Sequence, residues 1–204
     1  MSQIRHCILG TAGHVDHGKS ALIGKLTGVQ TDRLKEEQER GISIELGFAE
    51  LSLSDSITLG VVDVPGHEKF VKQMVAGAGG VDLAMLIIAA DEGVMPQTIE
   101  HLEILSSLGV SGGAVVITKS DLVDPEMAEL ASEEAMELVE GTFLEDRPIV
   151  KVSSVTGDGI DELKKILIDE VNLLPIRSTT DGFRLPVDRV FTMPGAGVIV
   201  TGTC

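Results

Sequence analysis

The strongest constraint on the fold is Leu83–Ala89, an unbroken apolar run bounded by Asp82 and by Asp91-Glu92-Gly93. A run of this length and composition reads as a strand covered on both faces, the environment of a parallel sheet. Ala114–Ile117 and Ile149–Val152 repeat the pattern, and Ile4–Leu9 adds a further strand near the start. Ala49–Leu53 and Thr58–Val62 read as two strands joined by the Ser54-Asp55-Ser56 turn. Helical patterns lie between them at Lys19–Leu26, Lys69–Ala76, Gln97–Leu108, Glu126–Glu140 and Asp161–Asn172. Strand-helix alternation of this kind predicts an α/β fold, a mostly parallel central sheet flanked by helices.

The pattern changes after Leu174. Residues 1–174 read as one domain, 175–182 as a linker, and 183–204 as the start of a second, β-rich domain. In that last part Phe183–Thr192 and Val198–Thr203 look like strands around the Met193–Gly197 turn. Two strands make no stable domain alone. The reading is therefore a native N-terminus and a C-terminus truncated within a strand pattern. Cys7 and Cys204 stand far apart without CxxC spacing, so neither a disulfide framework nor a zinc site is expected. No run of about 18 apolar residues predicts a membrane span, and no secretory signal is read at the N-terminus. A cytoplasmic location is the expectation.

Lys and Arg total 16 against 32 Asp and Glu, a net charge of −16. Phosphate contacts need clustered cations, so bulk charge excludes this chain as the main grip on a nucleic acid. The chain has no Trp and no Tyr, which removes most base-stacking platforms. Ser120–Asp146 carries carboxylates and neither Lys nor Arg. Its Glu129, Glu133 and Glu137 read as a solvated helix face, with Leu130, Met136, Leu138 and Val139 on the apolar side.

Gly13-His14-Val15-Asp16-His17-Gly18-Lys19-Ser20, followed by Ala21, matches G-x-x-x-x-G-K-[ST] between a predicted strand and a predicted helix. Glycines let backbone N–H groups turn inward around phosphate oxygens, and the helix N-terminus adds positive potential. Lys19 brings a cation to the β/γ-phosphates and Ser20 a hydroxyl to Mg²⁺. Asp63, at the end of a strand, can hold the same ion through water, and Gly66 can set an N–H against a γ-phosphate. Ser43, in Arg40-Gly41-Ile42-Ser43-Ile44, offers a second hydroxyl for the ion or is a polar turn residue. Taken alone, Asp63 is equally a helix cap.

Thr118-Lys119-Ser120-Asp121 follows the apolar strand Ala114–Ile117. Asp121 can accept from guanine N1–H and N2–H₂ together, a pair that adenine lacks; its bland alternative is a helix cap. The stem of Lys119 can cover one face of the base. Ser153-Ser154-Val155 follows the next strand, where a backbone N–H can donate to guanine O6. Thr118 stands where the motif more often has Asn.

In order and context these segments resemble the GTPase domain of translation factors, and Asp63-Val64-Pro65-Gly66-His67-Glu68 with Val94-Met95-Pro96-Gln97-Thr98 points to the elongation-factor class. Within it, Gly10–His14, Leu26-Thr27-Gly28, Thr31–Glu37, Arg40–Ala49, Thr118–Asp121 and Gly195–Thr203 resemble the bacterial selenocysteine-specific elongation factors. The resemblance implies a P-loop GTPase domain followed by the first strands of a truncated β-barrel. It implies binding of GTP and GDP with Mg²⁺, a monovalent cation at Asp16, and ribosome-stimulated GTP hydrolysis. It also implies delivery of selenocysteinyl-tRNA to the ribosome at a recoded stop codon. Contacts with that tRNA, the ribosome and an mRNA hairpin would fall largely in domains absent from this chain. On the same footing His67 positions the attacking water, and Val15 and Ile42 form an apolar gate before it. Ser43 in place of the usual Thr keeps the hydroxyl and loses a methyl. Other readings are another translational GTPase, either a general elongation factor or an initiation factor, a metal-insertion GTPase using histidines and Cys7, and a nucleotide-gated module without hydrolysis. His14, His17 and His101 fall in different elements, so no histidine metal site is expected.

Overall fold

In the computed structural model the described residues are 4–30, 46–64, 80–175, 185 and 187–202, the side chains of Asp188 and Arg189 excepted. The strands are β1 (Arg5–Ala12), β2 (Gly47–Ser54), β3 (Ile57–Asp63), β4 (Leu83–Ala89), β5 (Gly112–Thr118), β6 (Ile149–Lys151), β7 (Val187–Met193) and β8 (Gly197–Gly202). The helices are α1 (Lys19–Thr27), α2 (Pro96–Ser107), α3 (Pro125–Val139) and α4 (Ile160–Leu173). The expected helix at Lys69–Ala76 lies outside the described residues, as does part of Phe183–Thr192. Among the described residues no helix is long and apolar enough to cross a membrane.

Six strands form one sheet in the order β2-β3-β1-β4-β5-β6. Only β2 runs antiparallel, against β3; the other neighbours are parallel. β1 has β3 on one side and β4 on the other. The chain therefore reverses its direction of winding beside β1, and the crevice at the carboxyl ends of the strands there is where α/β sheets take ligands.

The β4 run divides by alternation, as strand geometry requires. Leu83, Met85 and Ile87 pack on one face with Leu22 and Ile23 of α1 and Leu163 and Leu167 of α4. Ala84, Leu86 and Ile88 pack on the other with Leu102 and Leu105 of α2 and Ala131 and Ala135 of α3. All the β4 residues are buried, which accounts for a strand with no polar position.

The acidic helix α3 corrects one expectation. Its packed stripe is Ala128, Ala131, Ser132, Ala135 and Val139, while Leu130 and Met136 are exposed. The helical period is the same, but the small side chains face the sheet. Asp124 caps the helix, accepting from the Met127 amide at 2.9 Å, with Pro125 in the first turn. Asp121 is therefore not the cap of this helix.

At the domain exit, the Arg5 guanidinium donates to the carbonyls of Leu174 and Pro175, joining the start of β1 to the end of α4. Beyond it, β7 and β8 form a separate antiparallel pair. Val190, Phe191, Val198 and Val200 are exposed on it.

Candidate nucleotide site

The phosphate loop leaves β1 at Ala12 and enters α1 at Lys19. Gly13 has φ 136°, and a Cβ placed on it would lie 2.2 Å from the Ile87 carbonyl oxygen. Only glycine lets the loop lie this close to β4. Asp16 and Gly18 also have positive φ, 64° and 80°, the kind of turn that points successive amides at one spot. The Lys19 ammonium donates to the His14 carbonyl at 2.6 Å and is nearly buried. Half-buried Ser20 stands in the first turn of α1, and Ala21 beside it is exposed. Val15 is half-buried and Asp16 exposed.

His14 and His17 share this loop rather than falling in different elements, and His101 of α2 converges on it in space. The His14 and His17 rings meet edge to face at 5.0 Å, and His14 Nδ1 is 2.5 Å from Gln97 Oε1 on α2. His101, also on α2, accepts the Gly13 N–H on Nδ1 at 3.0 Å, so its proton sits on Nε2. Burial, assisted by the Lys19 and His14 charges, pushes His101 down from 6.5 to about 4. His17 is likewise lowered to about 4, chiefly by burial. Its Nδ1 faces the Ile87 carbonyl at 3.4 Å, and its buried Nε2 makes no hydrogen bond among the described residues. Both rings are neutral at neutral pH. The support given to the phosphate loop by His101 was not legible in the sequence; its only signal was a histidine on the apolar stripe of a helix.

Asp63, buried at the end of β3, accepts the Thr11 hydroxyl at 2.9 Å, and that hydroxyl accepts the Val64 N–H at 2.9 Å. Thr11 was also missed, since the strand expectation ended at Leu9, whereas β1 runs on to Ala12. Ser20 and Asp63 supply hydroxyl and carboxylate oxygen, the hard donor chemistry suited to Mg²⁺. Ile42, Ser43, Gly66 and His67 lie outside the described residues.

Two further loops join this one. Thr118 is buried at the end of β5, and its hydroxyl donates to the His17 carbonyl at 2.7 Å. Threonine in place of Asn thus ties the 118–121 loop to the 13–20 loop. Lys119 follows with φ 56°. Burial works against its charge, but hydrogen bonds to Asp91 and Glu92 outweigh that and raise its pKa. Asp121 is exposed beyond it. The Ser120 N–H donates to the Val152 carbonyl at 3.3 Å, which brings in the loop after β6. There the Ser153 N–H donates to the Asp158 carbonyl, and the Ser153 hydroxyl accepts from the Val155 and Thr156 amides. Ser153 therefore organises the loop, and the Ser154 amide makes no hydrogen bond among the described residues. Val155 is exposed.

Residues 4–173 match the family model described as the elongation factor Tu GTP binding domain. The chain belongs to that family. It is 57% identical over 196 residues to the selenocysteine-specific elongation factor of Desulfomicrobium baculatum, covering 96% of this chain and 31% of the relative. It is 43% identical over 198 residues to that of Escherichia coli strain K12, covering 96% of this chain and 32% of the relative. This member of the family thus spans about a third of the length of the curated relatives it matches. A crystal structure of a bacterial selenocysteine-specific elongation factor superimposes with TM-score 0.89 at 42% identity, over 100% of this chain and 34% of that one. The elongation factor SelB of Methanococcus maripaludis in complex with the GTP analogue GPPNHP gives 0.85 at 33% identity, over 100% and 42%.

Proposed function

We propose that this chain binds and hydrolyses GTP as the nucleotide-binding part of an elongation factor that delivers selenocysteinyl-tRNA to the ribosome at a recoded stop codon. The observation that carries the nucleotide reading is the hydrogen-bonded union of three loops, 13–20, 118–121 and 153–158, through Thr118 to His17 and Ser120 to Val152. The selenocysteine assignment rests on the relatives, which bear that description.

In this reading the amides of Gly13, His14, Val15, Asp16, His17 and Gly18 and the ammonium of Lys19 take the phosphates, with Ser20 and Ala21 at the head of α1. Lys19 exchanges the His14 carbonyl for a phosphate oxygen. Asp121 reads the guanine N1–H and N2–H₂, the stem of Lys119 lies against the base, Thr118 holds the loop, and the Ser154 amide, presented by Ser153 and Val155, donates to O6. Ser20, Ser43 and, through water, Asp63 would hold Mg²⁺, which would supply neutralisation of the phosphate charge. Asp16 takes a monovalent cation. Gly66 contacts the γ-phosphate, His67 orients the attacking water, and Val15 and Ile42 gate it. Residues 1–174 form the nucleotide domain, 175–182 the linker and 183–204 the start of a barrel. The tRNA, ribosome and mRNA-hairpin contacts belong to other parts of a cytoplasmic factor.

Calorimetric titration of the chain in Mg²⁺ buffer tests the reading. GTP and GDP give saturable heat and ATP gives none. Equal heat with ATP, or none with any nucleotide, refutes it. Retention of selenocysteinyl-tRNA over other aminoacyl-tRNAs by a full-length relative carrying this segment tests the delivery role, and equal retention contradicts it.

A further inference from the structure

The acidic pair Asp91-Glu92 just after β4 belongs to none of the motifs above. Both carboxylates meet one cation: Lys119 Nζ lies 3.1 Å from Asp91 Oδ2 and 3.3 Å from Glu92 Oε1. The second Glu92 oxygen faces His17 Nε2 at 3.7 Å. The loop presenting the pair is itself anchored. The Ala90 N–H donates to the Thr118 carbonyl at 2.9 Å, the Glu92 and Gly93 amides return to Ala89, and Glu134 of α3 accepts the Val94 N–H at 3.2 Å.

Lys119 is a side-chain-bearing residue in the left-handed region, at φ 56°. Such a conformation persists where the surroundings over-determine it, and two carboxylates on an anchored loop do that from the side-chain end. A lysine held at its ammonium has most of its stem rotamers already chosen. A ligand that packs on the stem then meets a finished wall and does not have to order it.

We propose that Asp91 and Glu92 are positioning residues for the guanine nucleotide: by clamping the Lys119 ammonium they hold its methylene stem in place as a wall against which the base packs. This rests on the reading that Lys119 and Asp121 take guanine. The clamp contributes to the lifetime of the bound nucleotide and not to contact with the phosphates.

Dissociation of a fluorescent GDP derivative, followed by stopped flow in the wild-type chain, in Asp91→Asn and in Glu92→Gln, tests the clamp. Each variant is expected to release GDP about two- to twelvefold faster, the range set by freeing one flexible side chain. In a Lys119→Ala background Asp91→Asn is expected to add nothing, which a general loss of structure would not reproduce. Asp91→Glu, which keeps the charge, restores slow release. Unchanged release in both single variants, with wild-type GDP binding intact, overturns the clamp and leaves the nucleotide reading standing. An undiminished Asp91→Asn effect in the Lys119→Ala background overturns it as well. A wild-type chain that binds no guanine nucleotide sinks both.

Discussion

His101 makes the acid limit of this fold measurable. Its imidazole is buried in the native chain, accepts the Gly13 N–H and titrates at about 4, against 6.5 for a free histidine. The native pKa is the lower one, so below pH 6.5 the unfolded chain takes up a proton that the native chain refuses. The stabilisation is therefore complete above pH 6.5 and is lost as the pH falls toward 4. The slope is about 1.4 kcal/mol per pH unit, or on the order of 3 kcal/mol over the whole window. His101→Asn places an amide oxygen near the Nδ1 position, keeps an acceptor for Gly13, and cannot titrate. The His17 contribution is common to both proteins and cancels in their difference. Urea unfolding followed by circular dichroism, the suitable probe for a chain with no Trp, is measured at pH 7.5, 6.5, 5.5 and 4.5. The variant begins less stable at pH 7.5, through the lost volume, and the gap narrows or reverses by pH 4.5. Parallel profiles refute the argument, as does an NMR titration that places the His101 ring midpoint near 6.5.

Two other expectations can be checked on the same material. Asp121→Asn exchanges an acceptor pair for a mixed donor and acceptor, so competition binding should show weakened GDP and a gain for xanthosine diphosphate; an unaltered guanine preference contradicts the base-reading role. Arg147 pairs with Glu170, which is 4% exposed and also accepts the Gly113 N–H at 3.0 Å. Arg147→Ala leaves that carboxylate without its cation and should cost about 3 kcal/mol in urea unfolding, and a loss under about 0.5 kcal/mol, the scale of an ordinary surface change, would mean the pair is not what holds the segment before β6 to α4.

The phosphate and base motifs, the strands and most helix limits were legible because each is local. A strand shows its period within a few residues, and Gly13–Ser20 carries its own loop chemistry. The apolar runs identified β4 and β5 because a strand covered on both sides has no polar position to conceal it. Helix α3 was harder. Large apolar residues attract attention in a sequence, yet close packing on the sheet selected Ala128, Ala131 and Ala135 and left Leu130 and Met136 outside.

What the sequence by itself determined is the α/β class, the order of the described elements and the place of the glycine-rich loop between β1 and α1, all properties of short segments. What only the tertiary structure decided is which distant side chains support those loops: His101 on Gly13, 88 residues away; Thr11 on Asp63, 52 away; Asp91 on Lys119, 28 away. Their meeting follows from the strand order β3-β1-β4-β5, which sets β1 beside both β3 and β4, and β4 beside β5. Strand order is settled by burial and pairing over the whole sheet, and no local spacing encodes it.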